Sequence, residues 1–418
     1  MGTRGWAGVT LAALLFAVAV VVVVRAPLSM PPAPRADQLD AMAALPPGAV
    51  ERGKAFHAAT RLPSYTALLL GLLVALGFGL TPLGARLVEA VGRPFGGGWV
   101  AQALCGGLAL VAIGELVALP VAVWRETVLR RWGLSTQDWS GWVVDLLKGY
   151  AVAAVLGGLL LLAFFGVVRL LPQWWWAVGA AGAALLMVLF SFVFPVLIEP
   201  IFNRFTPMPD GDLRTSLVQL AADDGVPVRD VLVADASRRT TALNAYVSGL
   251  GPTRRIVVYD TLLREAPPEE VRAVVAHELG HAKLGDVLTG TLVSALGAAA
   301  AVCGLFLLGS WAGLLRRAGV ASIVEPRAIG LLLAIVAVAG LVGLPLQNLL
   351  SRRVEARADA HALALTGDPS TVERMEQRLA TTNLADVDPP WLEYVLFASH
   401  PSVVQRMAAA RAYARGER

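Results

Sequence analysis

Charged residues and cysteine are scarce in this chain. Asp, Glu, Lys and Arg make up 16% of its 418 residues, whereas soluble domains contain about 25%. Hydrophobic residues make up 56%, and the two figures together exclude an ordinary soluble protein. The two cysteines, Cys105 and Cys303, lie inside apolar runs, where a thiol stays protonated. Their number and position exclude a disulfide framework and a thiolate metal site.

Lysine is also rare, and the basic residues do not indicate a nucleic-acid-binding surface. Only three of the 35 basic residues are lysine, a bias that, with abundant alanine and glycine, is typical of a GC-rich bacterial genome. The net charge is +4, and several arginines stand in pairs next to apolar runs: Arg130–Arg131, Arg316–Arg317 and Arg352–Arg353. Basic residues at the ends of membrane spans set topology. We therefore predict a bilayer partner and no nucleic acid.

Long apolar runs are abundant. Seven of them are close to the ~20 residues that cross a bilayer as a helix, near residues 6–24, 65–83, 100–123, 150–170, 174–197, 287–309 and 327–347. Backbone groups in lipid must be paired within the chain, so these runs should be helical. The first run exceeds the ~7–15 apolar residues of a signal peptide, which favours an uncleaved anchor. The predicted fold class is mainly α, a polytopic helical membrane protein with about seven transmembrane helices.

Basic residues in the loops give a weak preference for one orientation. If the segment between the fifth and sixth runs is cytoplasmic, the loops on that side carry nine Lys or Arg residues, against seven on the other side. Cytoplasmic loops carry the excess of basic residues. We therefore expect a multi-pass protein of the bacterial cell membrane, with this segment in the cytoplasm.

An H-E-x-x-H motif lies in that segment, at His277, Glu278 and His281. Two histidines at i and i+4 of a helix project from one face, where both can bind a single Zn²⁺. The glutamate between them can then act on the attacking water. The alternative is a pair of helix histidines with ordinary hydrogen-bond partners, and the rarity of histidine, five in the chain, disfavours it.

A catalytic zinc needs a third protein ligand and an open position. A metzincin has a third histidine six residues after its motif, and here that residue is Val287. A glutamate on another helix is the usual alternative, and Glu355 is the best candidate because the sixth and seventh runs return the chain to the same side. Asp359 lies on the same helical face and would hydrogen-bond a ligand histidine. Without further support, Glu355 is equally an ordinary solvated glutamate.

The polar segments divide the chain into four parts. We predict a membrane region with five helices at 1–197, a zinc protease domain at 198–286, a transmembrane hairpin at 287–350, and a helical part carrying the third ligand at 351–418. Within 198–286, residues 231–234 read as a strand, and residues 244–248 and 256–259 as a hairpin. Proline and acidic residues at 267–270 predict the start of the motif helix.

These motifs resemble the multi-pass zinc endopeptidases typified by the type I CAAX-prenyl protease, to which the bacterial heat-shock membrane protease is related. The resemblance covers roughly residues 140–410, and five segments carry it: 199–207, 244–249, 277–281, 348–359, and 399–402 with Arg406. It implies a small α+β, gluzincin-type protease domain. Where the family often has an aromatic residue after its third ligand, this chain has Ala356.

The resemblance also implies a role for each matching residue. His277, His281 and Glu355 would bind one zinc per chain, and Glu278 would be the general base. Asn244 and the strand that follows, with Ala245 and Tyr246, would pair with an extended peptide substrate. His400 would donate to the oxyanion, and Arg352 and Asp359 would support the site.

The sequence therefore predicts a zinc-dependent integral-membrane endopeptidase acting on membrane-associated or unfolded proteins, lipidated ones among them. Two alternatives remain. One is a transporter or channel, because Glu115 places a carboxylate inside the third run; a structural role, as partner of a buried polar group such as Gln102 or as a chamber-lining residue, is the favoured explanation of Glu115. The other is an inactive zinc-binding scaffold, although an intact Glu278 argues against it.

Overall fold

The computed structural model describes residues 2–26, 33–249 and 251–417. Seven of its helices are long and apolar enough to cross a membrane: Thr3–Arg25, Ala49–Gly79, Trp99–Arg131, Trp139–Leu170, Trp175–Phe202, Asp286–Leu308 and Pro326–Thr366. The predicted fold class is confirmed. Most of these helices extend beyond the predicted runs, because hydropathy marks only the part of a helix that is apolar.

The membrane region is built from the first nine helices. They are α1 (Thr3–Arg25), α2 (Arg35–Ala43), α3 (Ala49–Gly79), α4 (Pro82–Gly92), α5 (Trp99–Ala101), α6 (Gly107–Arg131), α7 (Trp139–Leu170), α8 (Trp175–Val193) and α9 (Glu199–Phe202). Two π-helical turns, Gln102–Gly106 and Phe194–Ile198, join α5 to α6 and α8 to α9. Glu115 interacts with Tyr150 of α7, whereas Gln102 donates to the Gly97 carbonyl at 2.9 Å. The carboxylate in the third span thus pairs with a tyrosine and not with Gln102.

A four-stranded sheet follows the fifth span. Its strands are β1 (Phe205–Pro207), β2 (Asp230–Ala234), β3 (Ala245–Ser248) and β4 (Arg255–Tyr259), in the order β1-β2-β4-β3. β2 and β4 are parallel, while β3 and β4 are antiparallel with Tyr246 opposite Val257. The predicted hairpin is therefore present, and Leu250 in its turn lies outside the described residues. β3 lies at the edge of the sheet, next to the site.

The remaining helices include some that contact this sheet, two that are candidate membrane spans, and others that pack on neighbouring helices. They are α10 (Asp212–Asp223), α11 (Asp260–Glu265), α12 (Pro268–Leu284), α13 (Asp286–Leu308), α14 (Ala312–Ala318), α15 (Ile329–Thr366), α16 (Pro369–Thr382), α17 (Trp391–Phe397) and α18 (Val403–Ala414). α12 begins with proline and two glutamates in its first turn, the arrangement that favours a helix start. Its buried face meets the sheet in one apolar core that includes Val231, Ile256, Val275 and Leu279.

Two glycines shape the motif helix: one allows α15 to approach it closely, and the other ends it. A Cβ atom on Gly280 would come within 3.2 Å of the Ala358 backbone and of the His361 side chain, so glycine permits the close approach of α12 and α15. Gly285 has φ +70°, a left-handed conformation that ends α12 at little cost for glycine alone. The chain turns there, and Asp286 begins α13 next to the motif.

The seventh span does not stop at the membrane boundary that its hydropathy indicates. α15 runs for 38 residues without a break, about 57 Å at 1.5 Å per residue. Its first half is the apolar span, and its second half carries Glu355 and Asp359 to α12. The divide that we predict at 350 lies within this single helix. One rigid element therefore connects the membrane region to the site.

Candidate metal centre and active site

His277 and His281 face each other across one turn of α12. Their Nε2 atoms lie 3.1 Å apart. Each opposite ring nitrogen meets a carboxylate: Nδ1 of His277 lies 2.9 Å from Asp359 Oδ1, and Nδ1 of His281 lies 2.9 Å from Asp286 Oδ2. These contacts assign the Nδ1–H tautomer to both rings. Both Nε2 lone pairs then point at the same place, as two ligands of one metal require.

Glu355 completes a triangle with the two imidazoles. Its Oε2 lies 3.3 Å from His277 Nε2, and its Oε1 lies 3.7 Å from His281 Nε2. A tetrahedral zinc with bonds of about 2.0–2.1 Å spaces its ligand atoms about 3.3 Å apart. The three observed separations agree with that spacing. Glu278 is also near: the possible ligand atoms of His277, Glu278 and His281 lie within 4.8 Å of one another. The distances from Glu355 to the two imidazoles, 3.3 and 3.7 Å, are shorter than that limit and fit a metal ligand better.

The electrostatics of this triangle favour a cation. Glu355 is 9% exposed, and among the described residues its Oε2 makes no hydrogen bond. Burial lowers the pKa of His277, but the neighbouring carboxylates of Asp359 and Glu355 favour the charged ring, outweigh that effect and raise the pKa to about 10. The surrounding carboxylates thus hold positive charge on the ring. A divalent cation bound by the three residues would supply that charge, so this donor set fits zinc.

Glu278 lies beside the triangle without belonging to it. Burial raises the pKa of its carboxyl above the usual value, in the direction that suits a general base near neutral pH. Glu278 lines a cavity of about 350 Å³ together with His277, Asn244 and His400. The carboxylate therefore faces the space where a substrate carbonyl would be attacked.

His400 approaches the triangle from the segment between α17 and α18. Its Nε2 lies 3.4 Å from Glu355 Oε2, and its Nδ1 lies 2.9 Å from the Ser399 hydroxyl. The side chain is 58% exposed, but surrounding residues partly desolvate the imidazole and lower its pKa, which favours the neutral ring at neutral pH. A neutral ring with one N–H can donate a hydrogen bond to an oxyanion.

Asn244 precedes the edge strand β3 at the mouth of the same cavity. Asn383 fixes this segment: its Oδ1 accepts from the Leu243 amide at 2.8 Å, and its Nδ2 donates to the Leu243 carbonyl at 3.2 Å. The Tyr246 hydroxyl donates to Glu199 at the end of the fifth span. The Ala245 side chain is buried in the sheet core. The outer edge of β3 is thereby held where an extended peptide could add as a further strand.

Asp359 and Arg352 hold different positions around the site. Asp359 contacts His277, and Arg406 donates to both of its oxygens, at 2.5 and 2.9 Å. Arg406 also lies 2.9 Å from Glu376, which is 2% exposed. Arg352 donates to the carbonyls of Tyr394 and Ala398, in the segment that leads to His400.

The motifs did not identify every residue that orients the site. The sequence indicated no role for three residues that contact the site: Asp286 contacts His281, Asn383 contacts Leu243 just before β3, and Glu376 contacts Arg406. Arg357 donates to Asp286 Oδ1 at 2.6 Å and was missed in the same way. Only Asp286 had a local signal, an acidic residue just after the glycine that ends the motif helix.

Two family models match the chain. The model described as peptidase family M48 matches residues 207–414, which hold β2, β3 and β4 of the sheet and the three residues of the candidate metal site. The model described as CAAX prenyl protease N-terminal, five membrane helices, matches residues 56–204. Together they account for most of the chain after its first span.

Relatives and a solved structure agree with those matches. The CAAX prenyl protease 1 homolog of Arabidopsis thaliana is 33% identical over 71% of this chain and 70% of its own length. The metalloprotease YhfN of Bacillus subtilis (strain 168) is 31% identical over 72% and 71%. The crystal structure of S. mikatae Ste24p superposes with a TM-score of 0.79 at 23% identity and covers 98% of both chains, so the fold is shared throughout.

Proposed function

The chain belongs to peptidase family M48, and from that premise we propose that this membrane metalloprotease is a zinc-dependent endopeptidase. One observation carries the proposal: the Nε2 atoms of His277 and His281 and the Glu355 carboxylate lie 3.1–3.7 Å from one another. When both rings carry their proton on Nδ1, all three groups present lone pairs to one another, and a charged His277 ring could donate from Nε2 to one neighbour at most. A shared metal ion accounts for their convergence.

His277, His281 and Glu355 would hold one zinc per chain. When bound there, zinc would polarise the scissile carbonyl and make water more acidic. Asp359 and Asp286 keep the lone pair of each imidazole directed at the metal position. Outer carboxylates of this kind also raise the basicity of the ligand histidines.

The remaining steps belong to side chains of the protein. Glu278 removes a proton from the attacking water and passes it to the leaving amine. His400 donates from Nε2 to the carbonyl oxygen as that oxygen gains negative charge. Asn244 and the outer edge of β3 bind the substrate backbone in extended form, which places a peptide bond between Glu278 and His400.

The substrate class follows from where the site lies. It is built on the ends of two membrane spans, so peptides from membrane-associated or unfolded proteins would reach it. Several of the similar relatives are named CAAX prenyl proteases, which keeps lipidated substrates among the candidates. We also propose that the site faces the cytoplasm of a bacterial cell, because the loops on that side hold the larger number of basic residues.

A cleavage assay with metal analysis tests this function. Purified wild-type protein should hydrolyse casein or a labelled peptide, lose activity to a zinc chelator, and recover it with added zinc. Glu278→Gln should retain zinc and lose at least about 10²-fold in kcat, because the general base is gone. Full turnover by Glu278→Gln, or wild-type activity that persists after all metal is removed, would contradict the proposal.

A further inference from the structure

His400 is carried by a short segment that needs anchors. We call residues 391–402 the His400 strap; it comprises α17 and the extended residues that follow. α17 has only seven residues, too few to be stable alone. The far end of the strap is fixed, because the side chains of Ser402 and Gln405 form a capping box with the first turn of α18. The near end requires partners from another element.

α15 supplies those partners. Arg352 Nη1 donates to the carbonyls of Tyr394 at 3.0 Å and Ala398 at 2.5 Å, and Asn348 Nδ2 donates to the carbonyl of Leu396 at 2.6 Å. The last carbonyls of a helix lack a full set of partners within it; the Tyr394 carbonyl accepts from the Ala398 amide at 3.3 Å and can accept a second hydrogen bond. Two side chains of α15 thus bind three carbonyls at and just after the end of α17, immediately before His400.

Burial and stacking make these contacts strong. Arg352 is 9% exposed and Asn348 is 6% exposed, so both donors are shielded from competing water. The Arg352 guanidinium also lies over the Tyr394 ring, 4.6 Å from its centre. This stacking uses the flat face of the group, which lysine does not have.

The two donors share a helical face with the third ligand. Asn348, Arg352 and Glu355 are spaced i, i+4 and i+7 along α15, so they point to one side. The element that presents the Glu355 carboxylate therefore also fixes the strap that brings His400 Nε2 to within 3.4 Å of that carboxylate. One helix, α15, therefore carries Glu355 and also anchors the segment that carries His400.

We propose that Arg352 and Asn348 are positioning residues that hold His400 at the place where it donates to the oxyanion. This inference rests on the proposed function and adds that Arg352 and Asn348 act on catalysis through His400. Neither side chain touches a ligand histidine. Their loss should act on kcat through His400 and leave the affinity for zinc unchanged, since a displacement of about 1 Å at a catalytic group costs on the order of 10²-fold.

A double-mutant cycle on peptide hydrolysis tests this route. Arg352→Met should lower kcat by about 10²-fold in the wild-type background, with KM and zinc content unchanged. In a His400→Ala background the same substitution should cost less than about twofold, because the group that it positions is absent. Arg353→Met is the matched control. Among the described residues Arg353 reaches none of the three carbonyls, so this variant should keep the wild-type kcat.

If Arg352→Met does not fold, two milder variants test the same role. Arg352→Lys keeps the charge without the flat guanidinium, and Asn348→Leu removes one donor at similar volume; each should give a smaller loss of kcat that also disappears in the His400→Ala background. If a variant lowered kcat by the same factor in the wild-type and His400→Ala backgrounds, the positioning role would be overturned. Loss of zinc from any folded variant would also overturn it. Activity of Glu278→Gln would overturn the proposed function instead, so the two failures are distinct.

Discussion

The Asp359 carboxylate lies 2.9 Å from Nδ1 of His277 and joins the motif helix to α15, the helix that carries Glu355. It fixes the ring so that Nε2 faces Glu355. Arg406 fixes the carboxylate in turn, through two hydrogen bonds. The orientation of one ligand histidine therefore depends on three helices, α12, α15 and α18.

Asp359→Asn should weaken zinc binding by about 10–100-fold, the usual cost of losing a carboxylate behind a ligand histidine. The amide can still contact the ring, but it no longer supplies the negative charge that raises the basicity of His277. Competition against a chromogenic chelator measures the change. Asp210→Asn serves as control because its side chain is 97% exposed. Equal affinities for Asp359→Asn and wild type would contradict this role.

Asp286→Asn should have a similar effect through His281. Asp286 Oδ2 holds the His281 ring at 2.9 Å, and its Oδ1 accepts from Arg357 at 2.6 Å. Loss of the charge should weaken zinc binding by about 10–100-fold, and Arg357→Met should reproduce part of the loss. The same chelator titration applies. Normal affinity in both variants would show that His281 needs no partner on Nδ1.

His400→Ala should bind zinc normally and lose about 10²–10³-fold in kcat, the cost of one oxyanion donor. Its KM should change little, because the hydrogen bond forms mainly in the transition state. Steady-state kinetics on a peptide substrate separates the two parameters. An unchanged kcat would remove His400 from the chemistry and leave the strap without a catalytic purpose.

Glu376 should make stability depend on pH. Burial raises the pKa of Glu376 from 4.5 to about 7, against the opposing charge of Arg406. Between these values the folded protein binds the proton more tightly than the unfolded chain does, so stability falls as pH rises through that window. Glu376→Gln has no proton to lose at this position. The melting temperature of the zinc-loaded variant should therefore rise relative to wild type between about pH 5 and pH 8.

Glu269→Gln is the control for that titration. Glu269 is exposed in the first turn of α12, and its substitution should shift the melting temperature by a constant amount across the same range. A constant difference for Glu376→Gln as well would contradict the assignment of the raised pKa to that carboxyl.

Local patterns carried most of what the sequence could predict. The spacing of His277 and His281 requires one helical face, and the apolar runs require spans, so the motif helix and the seven-helix fold followed from periodicity and composition. Glu355 and Asp359 needed one further step, the return of the chain across the membrane between α13 and α15. Each of these inferences involves a short segment or a single connection.

Contacts between segments that are distant in the chain could not be predicted from the sequence. Asn383 holds Leu243 across 140 positions, and Arg406 reaches Asp359 from a separate helix. Such pairs depend on how α16 and α18 pack, and no spacing rule encodes that packing. Arg352 shows the intermediate case. Its motif indicates a role near the site, but only the fold shows that it binds the strap that leads to His400.

Zinc content of wild type and Glu355→Ala tests the central claim most directly. Elemental analysis of detergent-purified wild-type protein should give one zinc per chain. Glu355→Ala should fold, because alanine is compatible with the interior of α15 and only one carboxylate is removed, and it should lose the metal or bind it much more weakly. Folded wild type that takes up no zinc even after reconstitution, or a Glu355→Ala variant that binds zinc as tightly as wild type, would contradict the account.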